Sequence, residues 1–173
     1  MNSMKGILTM VLMVLSLTAL SQSINQVVLD PRIEKEVLMG LCDRSGLKLP
    51  VFEVYYTPEY TTYAPDAEII SKLKQVRTDW QVHVVLGTWC SDSQREVPRF
   101  YRIMDVCGFP EQLITMYGVG RDKQAGDSDI SALKVTLVPT FVFFREGKEI
   151  GRIIESPLTS LEEDMLSILT WKE

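Results

Sequence analysis

The residues best suited to chemistry lie in one short stretch near the middle of the chain, VVLGTWCSDSQREVP, at residues 84–98. An apolar run ends in a small turn, Trp89 and Cys90 follow, and the next residues have the pattern of a helix start. A cysteine placed there meets unpaired backbone N–H groups and the positive end of the helix dipole, which favour a thiolate. We therefore interpret Cys90 as a candidate nucleophile, with Trp89 shielding one side of its sulfur.

A thiol that carries out a complete redox cycle needs a second cysteine three residues later, and this chain has Ser93 there. A hydroxyl cannot form a disulfide, although Ser93 can donate a hydrogen bond to a thiolate. Cys107 lies near the far end of the same predicted helix, roughly 20–25 Å away by helix rise. A disulfide needs Cα atoms within about 7 Å, so Cys107 is excluded unless the helix breaks early. Cys42 cannot be placed from its sequence position.

The charged neighbours of Cys90 have opposite effects on the stability of a thiolate. The carboxylate of Asp92 lies one turn from the thiol and disfavours a thiolate. Arg95 and Arg99 would favour the thiolate only if they pointed back toward Cys90, and exposed arginines on a helix are more often solvated. The charges thus leave open whether Cys90 is an activated thiol or an inert one.

Other candidate groups favour structural roles. His83 is the only histidine, and strand alternation places it opposite Val82 and Val84. We find no clustered Cys, His and carboxylate spacing of the kind that holds a metal, so neither a metal nor another cofactor is expected. Aromatic residues are enriched in strands and edges, which favours packing over binding for the upstream tyrosines. These tyrosines are Tyr55, Tyr56, Tyr60 and Tyr63.

Hydrophobic periodicity predicts the elements that position the thiol. In chain order they are a helix at 65–76, a strand at 81–87, a helix at 91–108, a strand at 113–120, a loop with a short helical turn at 121–133, a hairpin at 136–154 and a helix at 158–171. Upstream, Asp30 and Pro31 resemble a cap and first-turn proline, which predicts a helix at 30–42, and the residues at 49–56 favour a strand. The order predicts an α/β fold with a central mixed sheet flanked by helices and an N-terminal helix-strand-helix extension.

Val138 and Pro139 stand just before the predicted hairpin strand. If their peptide bond is cis, the Val138 backbone is free to face Cys90 instead of pairing in the sheet. Only about 5% of X–Pro bonds in folded proteins are cis, so the local sequence does not predict this by itself.

In their order and spacing, these motifs resemble the thioredoxin superfamily, and in particular bacterial exported thioredoxin-like proteins. The resemblance covers about residues 80–171. It rests on Trp89 and Cys90 after an apolar strand, Pro98 eight residues after Cys90, Pro139 in VPTFVFF at the family's cis-proline position, and the closing hairpin and helix. It implies a thioredoxin-like domain over residues 65–173, with residues 22–64 as an N-terminal extension packed on it.

The resemblance also implies a site. Cys90 and Ser93 occupy the family's catalytic positions, and Trp89, Val138 and Pro139 line its substrate groove. Partners would be protein or small-molecule thiols and disulfides. The segment GRDKQAGD at 120–127 resembles the region beside that groove, and we interpret it as a plain surface loop.

Two departures from the family pattern bear on function. Ser93 replaces the second cysteine, and Val84 replaces the acid that the family buries six residues before the first cysteine. The resemblance therefore implies exchange through one nucleophilic cysteine, in which an external thiol releases the mixed disulfide. The alternative is a redox-inactive protein-binding module. A peroxide-reducing enzyme is a third and weaker interpretation, because TWCSDS lacks the spacing of those enzymes.

Composition excludes some classes of protein. The 173 residues are 46% hydrophobic and 24% charged, which fits one globular domain. The formal net charge is −5, with no basic stripe of the kind that nucleic-acid binders carry, so that class is set aside.

The N-terminus has the layout of a secretory signal peptide over residues 1–21. Lys5 precedes an apolar core at 6–20, and Ala19 and Ser21 suit a cut before Gln22. This core of about 15 residues is short of the ~20 that span a bilayer. We therefore expect export to a periplasm or the extracellular space, with no membrane anchor after cleavage. In such a compartment, three cysteines leave at least one free thiol.

Overall fold

The computed structural model describes residues 23–171, which form a six-stranded mixed sheet and four helices. The strands are β1 (Gln26–Asp30), β2 (Lys35–Cys42), β3 (Trp80–Leu86), β4 (Ile114–Gly118), β5 (Thr140–Arg145) and β6 (Lys148–Ile154). The helices are α1 (Pro50–Thr62), α2 (Ala67–Leu73), α3 (Ser91–Cys107) and α4 (Leu161–Thr170). Short 3-10 turns lie at Gly46–Lys48, Glu111–Leu113 and Ser131–Leu133. The predicted signal peptide falls outside the described residues.

The sheet runs in the order β1-β2-β4-β3-β5-β6. β3 and β4 are parallel, and every other neighbouring pair is antiparallel. The β5–β6 hairpin turns at Glu146 and Gly147, both with positive φ, as a two-residue type I′ turn requires. The predicted mixed sheet, the closing hairpin and the thioredoxin-like fold class are confirmed.

Alternation along the strands divides the interior between the two faces of the sheet. Val82, Val84 and Leu86 of β3 point into the main core, to which all four helices contribute buried side chains. On the opposite face, Val85 packs in a smaller cluster beneath the segment from Val119 to Val138. The helices therefore form one layer, and an irregular segment covers the second face next to Cys90.

The predicted helix at 30–42 is wrong, because this segment forms a β-hairpin. The Asp30 carbonyl accepts hydrogen bonds from Ile33 and Glu34, and its side chain accepts one from the Arg32 N–H, so Asp30 opens a tight turn. Asp–Pro pairs start turns as readily as helices. β2 then pairs with β4, and this long-range pairing decides in favour of a strand.

The predicted strand at 49–56 is also wrong, because the helix α1 occupies all but the first of these residues. Phe52, Tyr56 and Tyr60 recur every four residues, which aligns them on one face of a helix. Phe52 and Tyr56 are buried in the main core, and Tyr60 and Tyr63 pack against it. The extension is therefore strand-strand-helix before α2. The expected packing role is confirmed for Tyr56, Tyr60 and Tyr63, whereas Tyr55 is exposed.

Arg44 ties the extension to α3. Its guanidinium donates to Asp105 at 2.5 Å and to Glu111 at 3.0 Å, and its Nε donates to the Tyr56 hydroxyl at 2.9 Å. The same guanidinium lies 5.3 Å from the centre of the Tyr60 ring. These contacts hold α1 against the C-terminal half of α3, the helix that begins at the candidate nucleophile.

Candidate functional site

Cys90 lies where β3 passes through a short turn into α3. It is the N-cap residue of α3, with an extended backbone at φ −96° and ψ 125°. Its N–H donates to the Gly87 carbonyl at 2.9 Å, and its own carbonyl accepts from the Gln94 N–H at 3.0 Å. The first-turn N–H groups of α3 thus open beside the thiol, as the sequence pattern indicated.

The segment before β5 brings a backbone carbonyl to the thiol. The Val138–Pro139 peptide bond is cis, as the resemblance implied. The Cys90 Sγ donates to the Val138 carbonyl oxygen at 3.0 Å. Val138 and Pro139 are buried, whereas Cys90 is half-buried. The structure therefore brings together three residues that the sequence interpretation placed at one site.

Trp89 forms the opposite side of the site. Its Nε1–H donates to the Val119 carbonyl at 3.0 Å, just beyond the end of β4. The indole packs directly on Gly87, where an added Cβ would lie 2.5 Å from the Trp89 Cε2 atom. Only glycine leaves room for the indole there. The sequence interpretation placed residue 87 at the end of the strand at 81–87 and missed this requirement.

Ser93 supports the turn rather than contacting the thiol. Its side chain is fully buried, and its Oγ accepts the Gly87 N–H at 3.2 Å. Gln94 assists from the next position, because its Nε2 donates to the Thr88 carbonyl at 2.8 Å. Together these side chains satisfy backbone groups of the turn that carries Cys90.

The arginines of α3 are engaged with carboxylates. Arg95 contacts Asp92 at 2.8 Å and Glu96 at 2.6 Å, and Arg99 contacts Glu59 at 2.9 Å. The Asp92 charge is therefore paired within the helix. Neither arginine donates a hydrogen bond to Cys90 among the contacts of residues 23–171.

A different pair of cations lies beside the site. The Arg121 guanidinium lies 4.3 Å from the centre of the Trp89 ring, and the Lys123 ammonium lies 5.0 Å from it. The Arg121 backbone N–H donates to Asp30 at 2.8 Å, and this bond, with that from the Arg32 N–H, lowers the Asp30 pKa. The segment at 120–127 is therefore part of the site wall, not the plain surface loop that the sequence suggested. No local pattern could have identified a contact with Trp89.

The other two cysteines lie away from the site, and all three thiols are free. Cys42 of β2 pairs with Met116 of β4, and Met116 pairs with Val84 of β3. Cys42 therefore lies two strands from Val84, a distance of roughly 10 Å. Cys107 ends the 17-residue helix α3, about 25 Å from its start. Burial raises the pKa of both thiols to about 11. This geometry offers no resolving partner for Cys90.

His83 contributes to packing on the second face of the sheet. Its ring centre lies 6.1 Å from that of Tyr117 and 5.1 Å from that of Phe144, and burial lowers its pKa. Residues 23–171 contain no group of three or more His, Cys, Asp or Glu side chains arranged to hold a metal ion. Within the same range, no helix combines the length and apolarity needed to cross a bilayer.

Comparisons with known proteins find sequence relatives over about half of the chain. No protein-family model matches the chain. A thioredoxin-like protein of Acanthamoeba polyphaga mimivirus is 27% identical over 79 residues, which are 46% of this chain and 55% of that protein. Mitochondrial thioredoxin O of Oryza sativa subsp. japonica is 29% identical over 82 residues, 47% of this chain and 45% of that protein. The chain thus spans about half the length of these curated relatives.

Among solved structures, oxidised thioredoxin O1 from Arabidopsis thaliana aligns with a TM-score of 0.40 and 23% identity, covering 62% of this chain and 96% of that one. Thioredoxin from Aeropyrum pernix aligns with a TM-score of 0.38 and 19% identity, covering 61% of this chain and 85% of that one. The chain is thus similar in sequence to thioredoxin-like proteins, and its mixed sheet and strand-Cys90-helix geometry are those that the resemblance implied.

Proposed function

We propose that the protein carries out thiol–disulfide exchange through a single nucleophilic cysteine, Cys90. One observation carries the proposal: the half-buried Cys90 thiol lies at the N-terminus of α3 and 3.0 Å from the Val138 carbonyl, next to Pro139. The thioredoxin-like sequence relatives support a thiol–disulfide redox function at the level of the family.

The proposed cycle has two displacements. The Cys90 thiolate attacks one sulfur of a disulfide R–S–S–R′, which forms the mixed disulfide Cys90–S–S–R and releases R′–S⁻. An external thiolate R″–S⁻ then attacks the R sulfur, which forms R–S–S–R″ and returns the Cys90 thiolate. The protein gains no electrons over the cycle. An external thiol is needed because Ser93 carries a hydroxyl and Cys107 lies at the other end of α3.

The test is the reaction of the native protein with 2,2′-dithiodipyridine, which releases one coloured thiopyridone for each thiol that reacts. We expect one fast equivalent, assigned to Cys90 by peptide mass. Cys90→Ser removes the fast phase, and Cys107→Ser leaves it unchanged as the matched control. A fast phase that persists in Cys90→Ser would refute the proposal.

The second candidate is a redox-inactive binding module that uses the surface around Cys90 and Pro139. The observation in its favour is Ser93, whose hydroxyl is bonded to the Gly87 N–H and takes the place of a second thiol. This candidate predicts a Cys90 that reacts no faster than Cys107, and a protein partner whose binding survives Cys90→Ala.

We also propose that the protein is exported, on the pattern of residues 1–21. Expression of the full chain in a bacterial host should yield a periplasmic or secreted product. N-terminal sequencing of that product should begin at Gln22. A product that keeps Met1 and stays in the cytoplasm would overturn this part of the proposal.

A further inference from the structure

The wall of the site carries two cations without a carboxylate partner. Arg121 and Lys123 both lie over the Trp89 ring, at 4.3 Å and 5.0 Å from its centre. Among residues 23–171, neither side chain forms a salt bridge within 4.0 Å, whereas Arg95, Arg99 and most other arginines do. The Lys123 ammonium instead donates to the Arg121 carbonyl at 3.2 Å.

The carboxylates nearest to Arg121 and Lys123 form ion pairs or hydrogen bonds with other groups. Asp122 pairs with Arg32 at 2.8 Å, and Asp30 accepts two backbone N–H groups at 2.8 and 2.9 Å. On the far side of the thiol, Asp92 pairs with Arg95. Within residues 23–171, Arg121 and Lys123 therefore form no direct ion pair, and the Asp30 carboxylate acts on the Arg121 charge only from beyond 4.0 Å.

The platform under these cations is held in place. The Trp89 indole is fixed by its bond to the Val119 carbonyl and by its packing on Gly87. The loop that bears the cations is closed by two backbone bonds, from Gly120 to the Gln124 carbonyl and from Lys123 to the Gly120 carbonyl. Its buried Ala125 anchors it to the cluster that also contacts Cys90. The indole and the loop backbone that bears the cations are thus held next to the turn that carries Cys90.

We propose that Arg121 and Lys123 select disulfides whose reacting cysteine is flanked by acidic residues. This inference rests on the proposed exchange function and names its substrate class. The cations attract carboxylates next to the target disulfide and raise the encounter rate with Cys90. The bonds that form and break are those of the cycle above, and the cations take no part in the electron transfer.

The test uses three capped pentapeptides with a central cysteine, joined through a disulfide to neutral 2-thiopyridine. The residues that flank the cysteine are two aspartates, two serines or two lysines. The second-order rate constant of thiopyridone release at low ionic strength measures attack by Cys90, and Cys90→Ser supplies the blank. We expect the acidic peptide to react about tenfold faster than the basic one, with a ratio that falls as salt is added.

Three variants assign this preference. Arg121→Gln/Lys123→Gln should bring the acidic-to-basic ratio close to one, and Arg121→Lys/Lys123→Arg should keep it. Lys48→Gln/Lys74→Gln removes the same charge from exposed positions, and Lys74 lies near Cys107 at the far end of α3. This control should keep the ratio, because Lys74 lies about 25 Å from Cys90 and the interaction between two charges weakens with distance.

The outcomes separate the two proposals. An equal ratio in the wild-type protein and in Arg121→Gln/Lys123→Gln overturns the charge selection, while a fast reaction with the serine peptide leaves the exchange function standing. If none of the three peptides reacts at Cys90, the exchange function itself is wrong and the selection falls with it.

Discussion

The Cys90 thiol and the Val138 carbonyl lie 3.0 Å apart although they are separated by 48 residues in the chain. Cys90 is placed by the turn into α3, and Val138 by the segment that leads into β5. The strand β3, which leads into that turn, is a direct neighbour of β5, and the two pair in antiparallel register from Trp80 to Val85 of β3. The β3–β5 pairing therefore assembles the site from two distant parts of the chain.

The first prediction concerns the order in which the cysteines react. Burial raises the pKa of Cys42 and Cys107 to about 11, so each is a thiolate in only about one molecule in a thousand near pH 8. Iodoacetamide should therefore modify Cys90 first in the native protein. The rates at Cys42 and Cys107 should climb as the pH rises toward 11, because a raised pKa keeps these thiols protonated until then.

Alkylation of each cysteine against pH, resolved by peptide mass, checks this order. Unfolding in urea is the control, since it should make all three cysteines react alike. Native protein in which Cys42 or Cys107 is modified before Cys90 would contradict the prediction.

The second prediction concerns Ser93→Cys, which adds a second thiol on the first turn of α3. Position 93 is a neighbour of Cys90 on that turn, so the introduced thiol can displace a group bound to Cys90 and form a disulfide. With 2,2′-dithiodipyridine, the variant should release two fast equivalents of thiopyridone per chain, compared with one for the wild type. No external thiol should be needed.

Cys90→Ser/Ser93→Cys is the matched control, and it should release no second equivalent by displacement. Ser93→Cys should also lower the free energy of unfolding by about 1 kcal/mol, because sulfur replaces the Oγ that accepts the Gly87 N–H. A single fast equivalent from Ser93→Cys would show that the turn keeps the two positions apart.

The third prediction concerns Gly87 and Trp89. Gly87→Ala places a Cβ 2.5 Å from the indole, which forces the ring off the turn and costs about 1–3 kcal/mol in the free energy of unfolding. Trp89→Ala removes the obstacle. In the double variant, the cost of the added Cβ should therefore largely disappear.

Urea unfolding of the wild type, both single variants and the double variant measures this coupling. Ser91→Ala, on the exposed surface of α3, is the control for a substitution that meets no neighbouring ring. Gly108→Ala would not serve, because the positive φ of Gly108 makes any side chain there strained. Additive costs of Gly87→Ala and Trp89→Ala would mean that the two residues do not press on each other.

The sequence alone determined the elements from residue 65 onward and the choice of the candidate site residues. In β3 and α3 the local propensity, the hydrophobic period and the burial in the fold agree, so the pattern predicts the element. Cys90, Trp89, Val138 and Pro139 were recognised because their order matches a known family arrangement. Their spacing along the chain predicts where β3 joins α3 and where the chain enters β5.

Tertiary structure decided the rest, since some features have no local signal. The aromatic residues of α1 favour a strand by propensity, yet the segment folds as a helix, with Phe52 and Tyr56 buried in the main core. Ser93 turned toward the Gly87 N–H because the buried turn needed an acceptor. Arg121 reached Trp89 only through the path of the chain after β4. Long-range contacts of this kind depend on where strands and loops meet in space, which no window of neighbouring residues records.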